Sequence, residues 1–389
     1  MTRKEFIQMC GIFGIGMPVL NSCNSAFQAI SLKPSEKVII IGAGAAGLTA
    51  AYLLNQRGIE VQVLEAQSIF GGRMKRTNDF VDFPIPLGAE WLHVNNSIFD
   101  EIINDPSVKI DINTKPYNYE QDIAWKDGVE ISLKKLGFTI EQKFINSSWF
   151  DFFDQYVVPS IKTKIRYSEV VTSIDYARDK VKVQTKAAQY DGDRVIVTVP
   201  LAILQEKMIQ FIPELPAEKQ KAIDSVTVWG GCKTFIEFSD KFYPTAVAFG
   251  SPSKESGHKL YYDAAYGQES TKNVLGVIAV GPSADPYLER SHTGLIEYVL
   301  ADLDEVFEGK ASPSYVKHVF QNWNEETYAK GAYVQYFERI KDLRTLGKSV
   351  GDRLHFAGDA YTKGIDFSSV QAAVKSAKSL VEDLMVEKE

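Results

Sequence analysis

Residues 37–73 of this chain read KVIIIGAGAAGLTAAYLLNQRGIEVQVLEAQSIFGGR. A short apolar strand (Lys37 to Ile41) leads into a glycine-rich turn and then into an alanine- and leucine-rich helix that ends at Gly58. A second strand (Glu60 to Leu64) follows and ends in an acidic residue. This order of strand, turn, helix, strand and acid predicts a βαβ unit that binds a dinucleotide, and it is much more specific than a lone GxGxxG.

Each residue of the turn has a physical task in such a unit. Gly42 permits the tight turn, Gly44 lets the backbone approach a pyrophosphate, and Gly47 lets the helix pack closely on the strand. Ala45 and Ala46 open the helix, so their free N–H groups and the positive end of the helix dipole face the phosphates. The turn is therefore predicted to bind the phosphates of the cofactor.

Glu65 ends the second strand about twenty residues after the turn, where an acid accepts hydrogen bonds from a ribose hydroxyl. Ala66 follows it directly and is predicted to contact the cofactor as well. NAD and FAD both use these features, so this unit alone does not distinguish them. The glycine turn near the C-terminus (Gly358-Asp359) favours FAD, an extended molecule that is held at several points.

Composition excludes several classes of protein. The 389 residues are 45% hydrophobic and 24% charged, which predicts a globular protein with room for two domains. The net charge of -7 argues against a nucleic-acid partner, which requires a basic surface. The five histidines show no metal-binding spacing, so no metal site is predicted.

The first residues predict export. Residues 1–23 have a basic start, an apolar stretch from Phe6 to Leu20, and a lipoprotein-like box that ends at Cys23. The sequence thus predicts an exported protein, periplasmic or held on the cell envelope by a lipid on Cys23, with residues 24–35 as a tether. An uncleaved apolar tail is the alternative. Past residue 23 only Cys232 remains, so an intrachain disulfide is not expected there.

The rest of the chain predicts a doubly wound α/β sheet that is interrupted by a second, mixed α+β domain. The dinucleotide-binding domain is predicted at 36–93, 164–205 and 340–389, and the substrate domain at 94–163 and 206–339. The aromatic cluster from Trp149 to Phe153 is predicted in the core of the substrate domain. Local predictions are strands within Glu169–Leu204 with a turn at Asp191-Gly192-Asp193, helices at Pro216–Ser225 and Gly294–Phe307, and strands at Lys233–Phe238 and Val274–Val280.

Further blocks of this sequence resemble the flavin-dependent amine oxidase family, which includes monoamine and polyamine oxidases. They span most of Lys37 to Leu384 and occur in the family's order. The resemblance implies a Rossmann-like FAD-binding domain and oxidation of an amine to an imine, with O2 reduced to H2O2. It also implies non-covalent FAD, because Ala332 stands where monoamine oxidases carry the cysteine that bonds to the flavin.

The resemblance also implies which residues contact FAD beyond the βαβ unit. Asp359 stands where the family usually has glutamate, so the carboxylate is kept with one methylene fewer. The implied contacts are Gly72 and Arg73, then Gly88, Ala89, Glu90 and Trp91, then Val171 and Trp323, and finally Gly358, Asp359, Ser369 and Val370.

Two blocks carry the chemistry that the resemblance implies. Lys233, in WGGCKTFIEFSDKFYP, corresponds to the lysine that reaches flavin N5 through a water, and Tyr333, in WNEETYAKGAY, to one wall of an aromatic substrate cage. The opposite wall, usually aromatic, is Ser369 here, with Phe367 nearby. His93 and Phe367 are predicted substrate contacts.

Ordinary roles stay open for these residues: a solvated strand end for Lys233, a core tyrosine for Tyr333, and a cleft-lining histidine for His93. Glu90 is either an attractor of a cationic amine or a surface carboxylate. Two other functions also remain open, a desaturase or dehydrogenase that acts on an apolar substrate and reduces a quinone, and a non-catalytic FAD-binding lipoprotein. The sequence leaves the amine and the oligomeric state undetermined.

Overall fold

The structure is a computed structural model that describes residues 32–116, 123–127, 130–134, 141–249, 253–335, 338–363 and 366–386, with backbone alone at 123–127 and 130–134. The predicted export segment, residues 1–23, lies outside the described residues, as does most of the tether.

The strands, in chain order, are β1 (Lys37–Ile41), β2 (Glu60–Leu64), β3 (Arg76–Thr77), β4 (Ile85–Pro86), β5 (Trp91–Leu92), β6 (Thr114–Pro116), β7 (Ile123–Asp127), β8 (Glu130–Lys134), β9 (Gln142–Phe144), β10 (Ile165–Arg166), β11 (Val171–Asp175), β12 (Val181–Thr185), β13 (Gln189–Gly192), β14 (Arg194–Val197), β15 (Gln210–Ile212), β16 (Val228–Trp229), β17 (Gly231–Phe238), β18 (Ala246–Phe249), β19 (His258–Asp263), β20 (Asn273–Val280), β21 (Tyr315–Asn322), β22 (Tyr333–Val334) and β23 (Leu354–Phe356).

The α-helices are α1 (Ala45–Gln56), α2 (Ser97–Ile103), α3 (Trp149–Phe152), α4 (Val158–Ile161), α5 (Leu201–Gln205), α6 (Ala217–Ser225), α7 (Asp285–Leu288), α8 (His292–Val306), α9 (Ala311–Ser314), α10 (Ile340–Gly347) and α11 (Val370–Met385). A π-helical turn (Phe153–Val157) joins α3 to α4, and short 3-10 turns lie at Gly72–Met74, Lys162–Lys164 and Gly281–Ala284.

The predicted parallel sheet is present, with the strand order β10-β2-β1-β14-β23. Its central strand, β1, pairs in parallel with β2 on one side and with β14 on the other. Because parallel sheets are covered on both faces, their strands are continuously apolar, and Val38, Ile39 and Ile40 of β1 are fully buried. This sheet places the glycine turn after β1, Glu65 after β2 and Gly358 after β23 at one edge.

The aromatic cluster from Trp149 to Phe153 lies in a hydrophobic core that contains residues of both predicted domains. Trp149, Phe152 and Phe153 are fully buried and belong to the same hydrophobic cluster as the apolar residues of α1 and α11. The Trp149 ring also packs on Phe99 and Phe144, which belong to the predicted substrate domain, so the assignment of this cluster to that domain stays a prediction. The domain boundaries themselves stay a prediction.

A second, seven-stranded sheet has the order β21-β17-β20-β19-β18-β7-β8. Every residue of β17 is buried, because β20 and β21 flank it and α7 and α8 cover one face. The predicted strands at Lys233–Phe238 and Val274–Val280 and both predicted helices are present, each within two residues at its ends. Cys232 lies in β17 with 1% exposure, and burial raises the pKa of its thiol to about 12.

The predicted turn at Asp191-Gly192-Asp193 is wrong for Asp191 and Gly192, and only Asp193 forms a bend, between β13 and β14. Asp191 and Gly192 lie in β13, which pairs antiparallel with β12. The reversal between β12 and β13 lies at residues 186–188, where the Thr185 hydroxyl accepts from the backbone N–H groups of Ala187 and Ala188. A threonine hydroxyl that bonds to the backbone two and three residues later stabilises a turn at that place, so the reversal occurs there.

None of the helices in the described part of the chain has the length and apolar character that a membrane span requires.

His355 makes the stability of this fold sensitive to acid. It lies in β23 with 1% exposure, its Nδ1 is 2.8 Å from Ser349 Oγ, and burial lowers its pKa to about 3. The unfolded chain takes up this proton near pH 6.5, so the unfolded state binds more protons between about pH 6.5 and 3 and stability falls as the pH falls through that window. We expect the wild type to lose about 2–3 kcal/mol more than His355→Gln between pH 7 and 4.5, measured by urea unfolding.

The matched control is His93→Gln. Because the pKa of His93 is raised in the folded state, this histidine does not destabilise the fold in acid, and its removal does not relieve any loss of stability at low pH. Equal losses in the wild type and in His355→Gln would contradict this prediction.

Candidate active site

The glycine turn is built for close approach of a phosphate. Gly42 has a φ of +102°, and a Cβ on Gly47 would lie 2.0 Å from the Gly42 carbonyl oxygen. A Cβ on Gly44 would instead point into open space, with nothing within 4 Å. Gly44 is also the N-cap of α1 and has no side chain to satisfy the free N–H groups of the first turn, which Ala45 and Ala46 begin. The turn therefore fits a bound pyrophosphate.

The glycine turn from Gly42 to Gly47 and the first turn of α1 form a cradle, and Glu65 lies at its far end. It is 7% exposed; its Oε2 accepts from the Ala43 N–H at 2.6 Å and its Oε1 accepts from the Gln67 N–H at 2.9 Å. Burial raises the pKa of this carboxyl group, although backbone N–H groups, including that of Ala66, oppose the shift. A carboxylate oxygen has two acceptor positions, so Glu65 can hold the turn and still accept from a ribose hydroxyl.

The strand that carries Val171 begins beside Glu65. The Glu169 N–H donates to the Glu65 carbonyl oxygen at 2.8 Å, two residues before β11 starts. Val171 itself is buried. The structure therefore brings Val171 to the end of the cradle at which Glu65 lies.

Arg73 joins three blocks that lie far apart in the sequence. Its Nη1 donates to the Ala332 carbonyl oxygen at 2.6 Å, and its Nη2 donates to Asp359 Oδ1 at 2.5 Å. Its own carbonyl oxygen accepts from the Ala89 N–H at 2.9 Å, and a Cβ on Gly88 would lie 1.9 Å from that oxygen. The structure thus brings Gly72-Arg73, the Gly88 segment, Ala332 and Asp359 to one place.

Trp323 and Gly358 lie at the edges of this arrangement. The Trp323 indole is buried and donates to the Leu87 carbonyl oxygen at 3.0 Å. Gly358 has a φ of +156°, and its N–H donates to Ser376 Oγ on α11 at 3.2 Å. Trp323 is therefore bonded to the segment that leads into Gly88, and Gly358 is bonded to α11.

Ser369 is a helix cap. Its hydroxyl accepts from the Ala372 N–H at 3.1 Å, and α11 begins at the next residue, Val370. The neighbouring Ser368 hydroxyl donates to the Val334 carbonyl oxygen at 2.7 Å and so ties the start of α11 to β22. The place of a second aromatic wall is therefore taken by the start of a 16-residue helix.

Lys233 is buried, with 3% exposure, so it is not a solvated strand end. Its ammonium donates to Glu90 Oε2 at 2.6 Å and to the Pro86 carbonyl oxygen at 3.2 Å. Glu90 also accepts from Lys143 at 3.0 Å and from the Tyr262 hydroxyl at 2.5 Å. Glu90 is therefore neither a surface carboxylate nor a free anion for a cationic amine.

Opposing effects set the pKa values of this cluster. Burial disfavours the ionised Glu90 carboxylate, but the ammonium groups of Lys233 and Lys143 outweigh it and hold the pKa below its usual value. Burial lowers the pKa of Lys233, and Glu90 opposes that shift. Burial and the Glu90 carboxylate therefore act in opposite directions on the ionisation of Lys233.

Tyr333 lies in β22 opposite Trp229 of β16. It packs against a small cluster formed by Trp229, Val280 and Ala332. His93 is less enclosed: its side chain is 45% exposed, and its Nδ1 lies 3.4 Å from Glu141 Oε1. Burial lowers the pKa of His93, but Glu141 and Asp366 outweigh it and raise the value overall.

Phe367, the other predicted substrate contact, is half-buried and packs at the margin of the hydrophobic cluster that contains Val334 and Tyr361. The sequence reasoning missed Lys143 and Tyr262. Neither lies in a recognisable motif. Lys143 reaches Glu90 because β9 pairs with β5, which places it opposite Trp91.

Comparison with known proteins gives two family matches. Residues 151–385 match the family described as flavin containing amine oxidoreductase. Residues 40–104 match the NAD(P)-binding Rossmann-like domain. The flavin in the first description agrees with FAD, the cofactor predicted from the sequence.

Relatives with curated descriptions include a polyamine oxidase and lysine-specific histone demethylases. Polyamine oxidase 2 of Arabidopsis thaliana is 24% identical, with 93% of this chain and 90% of the relative covered. Lysine-specific histone demethylase 1 homolog 3 of Arabidopsis thaliana is 25% identical, and lysine-specific histone demethylase 2 of Homo sapiens is 26% identical. The chain covers 90% and 97% of its own length in these two matches but spans only 30% and 57% of the demethylases.

Solved structures share the fold. Putrescine oxidase bound to putrescine superposes with a TM-score of 0.73 at 15% identity and covers 90% of this chain and 99% of that chain. Cyclohexylamine oxidase from Brevibacterium oxydans gives 0.74 at 14% identity and covers 90% and 100%. The predicted α/β fold, an FAD-binding domain with a second mixed domain, is thereby confirmed.

Proposed function

Because this chain belongs to the flavin-containing amine oxidoreductase family, we propose that it oxidises a primary or secondary amine to an imine and passes the electrons to O2. The imine then hydrolyses to a carbonyl compound, and O2 becomes H2O2. The observation that carries the proposal is the pair of hydrogen bonds from Arg73 to Ala332 and Asp359, since they bring the predicted cofactor contacts to the residue before Tyr333.

FAD, when bound, supplies the acceptor for a hydride equivalent from the carbon next to the nitrogen. The chain then has to bind FAD, orient the amine and manage protons. Gly44 and the first turn of α1 bind the pyrophosphate, and Glu65 accepts from the ribose. The Tyr333 ring packs its face on the neutral amine, whose N–H groups can donate weakly to the ring, and it excludes water. Ala332 offers no thiol, so FAD is held without a covalent bond.

Lys233 supports O2 over a quinone as the electron acceptor. Two of its three N–H donors are used by Glu90 and Pro86, so one remains for a water beside the flavin. A fixed, buried ammonium of this kind stabilises negative charge as it develops on oxygen during reoxidation.

The proposal is tested by anaerobic stopped-flow mixing of the FAD-loaded protein with putrescine, spermidine, cyclohexylamine, benzylamine, an amino-acid panel and a methyl-lysine peptide. We expect bleaching of the oxidised flavin with at least one amine, followed by recovery with stoichiometric H2O2 when O2 is admitted. Absence of bleaching with every compound, in protein that dithionite reduces normally, would refute amine oxidation. Recovery with a quinone but not with O2 would favour the dehydrogenase alternative.

Tyr333 gives a separate prediction for substrate orientation. Tyr333→Ala removes the ring, and we expect kcat/KM for the best amine to fall about 10- to 100-fold with FAD still bound, because a misplaced amine loses its alignment. Tyr333→Phe keeps the ring face and should stay within about threefold of the wild type. Steady-state oxygen consumption measures both, and an inactive Phe variant would show that the hydroxyl, not the ring, is required.

The location of the enzyme is proposed from residues 1–23 alone. Their basic start, apolar stretch and Cys23 support export, with the enzyme periplasmic or held on the cell envelope by a lipid on Cys23.

A further inference from the structure

A small cavity lies beside the buried Glu90 carboxylate. Its volume is about 10 Å³, which is close to the room that one water molecule needs. The polar part of its lining includes Glu90, Lys143, Ser147 and Ser148. A buried water needs about two to four polar partners, so this lining fits one.

The Ser147 hydroxyl is a second, independent sign of a bound water. Its oxygen is shielded from solvent and has no hydrogen-bond partner among the residues that the structure describes. A shielded hydroxyl without a partner costs free energy, and a water in a polar cavity removes that cost. Because Ser147 lies on the cavity lining, the hydroxyl and the room for a water occur at the same place.

Inward from the cavity, two hydrogen bonds lead to Lys233. Glu90 Oε1 accepts from the Lys143 ammonium at 3.0 Å, and Glu90 Oε2 accepts from the Lys233 ammonium at 2.6 Å. All three side chains are 4% exposed or less, so they are shielded from solvent. These inner bonds connect the cavity lining to Lys233 without a gap.

Outward from the cavity, a hydrogen bond leads toward the surface. The Ser148 hydroxyl donates to Asp151 Oδ2 at 2.6 Å. The Asp151 side chain is 23% exposed, and its other oxygen pairs with Arg76 at 2.7 Å. A hydroxyl can donate and accept at the same time, so Ser148 can pass a proton between Asp151 and a water in the cavity. This outer bond connects the cavity to solvent.

Reoxidation by O2, as proposed above, consumes one proton. Two electrons and one proton leave the reduced flavin anion as it returns to the oxidised form, and O2 gains them. A second proton, which has to come from solvent, completes H2O2. The Lys233 ammonium can supply this proton at once, but it then has to be recharged from outside.

We propose that the cavity binds one water, and that this water joins the inner and outer bonds into a proton path from Asp151 to Lys233. After Lys233 gives up a proton, Glu90 passes one to it from Lys143. Lys143 takes a proton from the water in turn, and the water regains one through the outer bond. The inference rests on the proposed function, because Lys233 needs the flavin beside it and O2 as the acceptor.

The water site is tested by a crystal structure of the FAD-loaded protein that resolves ordered waters. We expect a water within hydrogen-bond distance of Ser147 Oγ and of Glu90 or Lys143. A cavity that holds no water in such a structure would overturn the proposal.

The path is tested by a single reoxidation in weak buffer without any amine. The protein is reduced with light and mixed with O2, and flavin absorbance is followed together with a pH-indicator dye that reports proton uptake. In the wild type, uptake should keep pace with reoxidation. Ala264 is buried on the cavity lining, and Ala264→Val fills the space of the water. We expect uptake in this variant to lag about tenfold, while reoxidation stays within about threefold of wild type because Lys233 still carries its own proton.

Ala264→Ser is the matched control, because its hydroxyl is small and can bond to the water, so uptake should again keep pace. If Ala264→Val does not fold, Ser147→Val fills the cavity from another residue of the lining, and the same lag is expected. Uptake that keeps pace in the valine variant, an equal slowing of uptake and reoxidation, or an equal lag in Ala264→Ser would overturn the path. Because light reduces the flavin, a failure of amine oxidation would appear in the bleaching experiment and not in this one.

Discussion

Gly44→Ala is expected to give a folded protein that has lost FAD. A Cβ at this position meets no protein atom within 4 Å, and the backbone of Gly44 has a φ of -80°, which alanine adopts without strain. The added methyl group would point into the space where the pyrophosphate has to approach the backbone. We expect FAD affinity to fall at least about 100-fold, or about 3 kcal/mol, while unfolding free energy changes by about 1 kcal/mol or less.

Gly47→Ala provides the contrast within the same turn. Its Cβ would lie 2.0 Å from the Gly42 carbonyl oxygen and 2.9 Å from Thr198 Oγ1, so the turn itself has to move. We expect this variant to lose about 3 kcal/mol or more of stability, and FAD with it. Flavin absorbance after purification, FAD titration of the apoprotein and urea unfolding separate the two cases. FAD-loaded Gly44→Ala protein would remove Gly44 from the phosphate site.

Lys233→Met should keep FAD and slow its reoxidation by O2 about 100-fold, because a preorganised charge is lost where negative charge develops. Glu90 would still be paired with Lys143 and Tyr262, so it would not be left as an unpaired buried anion. The rate is measured by stopped flow: the flavin is reduced anaerobically with dithionite, and O2 is then admitted.

Lys272→Met is the matched control. It removes a half-exposed ammonium that pairs with Glu237, on the same strand as Lys233. Reoxidation at the wild-type rate in Lys233→Met would refute the role assigned to this lysine. Slow reoxidation in both variants would point to a general loss of positive charge instead.

The βαβ unit was predictable because its signals are local. The strand, glycine turn, helix and Glu65 lie within 37 to 65, and each is fixed by neighbours a few residues away. The capping role of Ser369 was also within reach, because a serine directly before an apolar helical pattern is a typical N-cap.

Other features depend on pairings that no local pattern records. Lys143 reaches Glu90 only because β9 lies against β5, about fifty residues away in the chain. The aromatic residues from Trp149 onward show helix-like spacing, but spacing does not say which core a helix joins. Their neighbours α1 and α11 come from the two ends of the described chain. Long-range packing of this kind is set by the fold as a whole.

The burial of the Cys232 thiol has a consequence if the neighbouring site releases H2O2, as proposed. It is the one cysteine after residue 23, it neighbours Lys233 on β17, and its thiol is 1% exposed with a pKa raised to about 12. Peroxides attack thiolates, and a buried, protonated sulfur gives them almost none. If the proposed H2O2 is formed, the Cys232 thiol is therefore expected to resist oxidation by it.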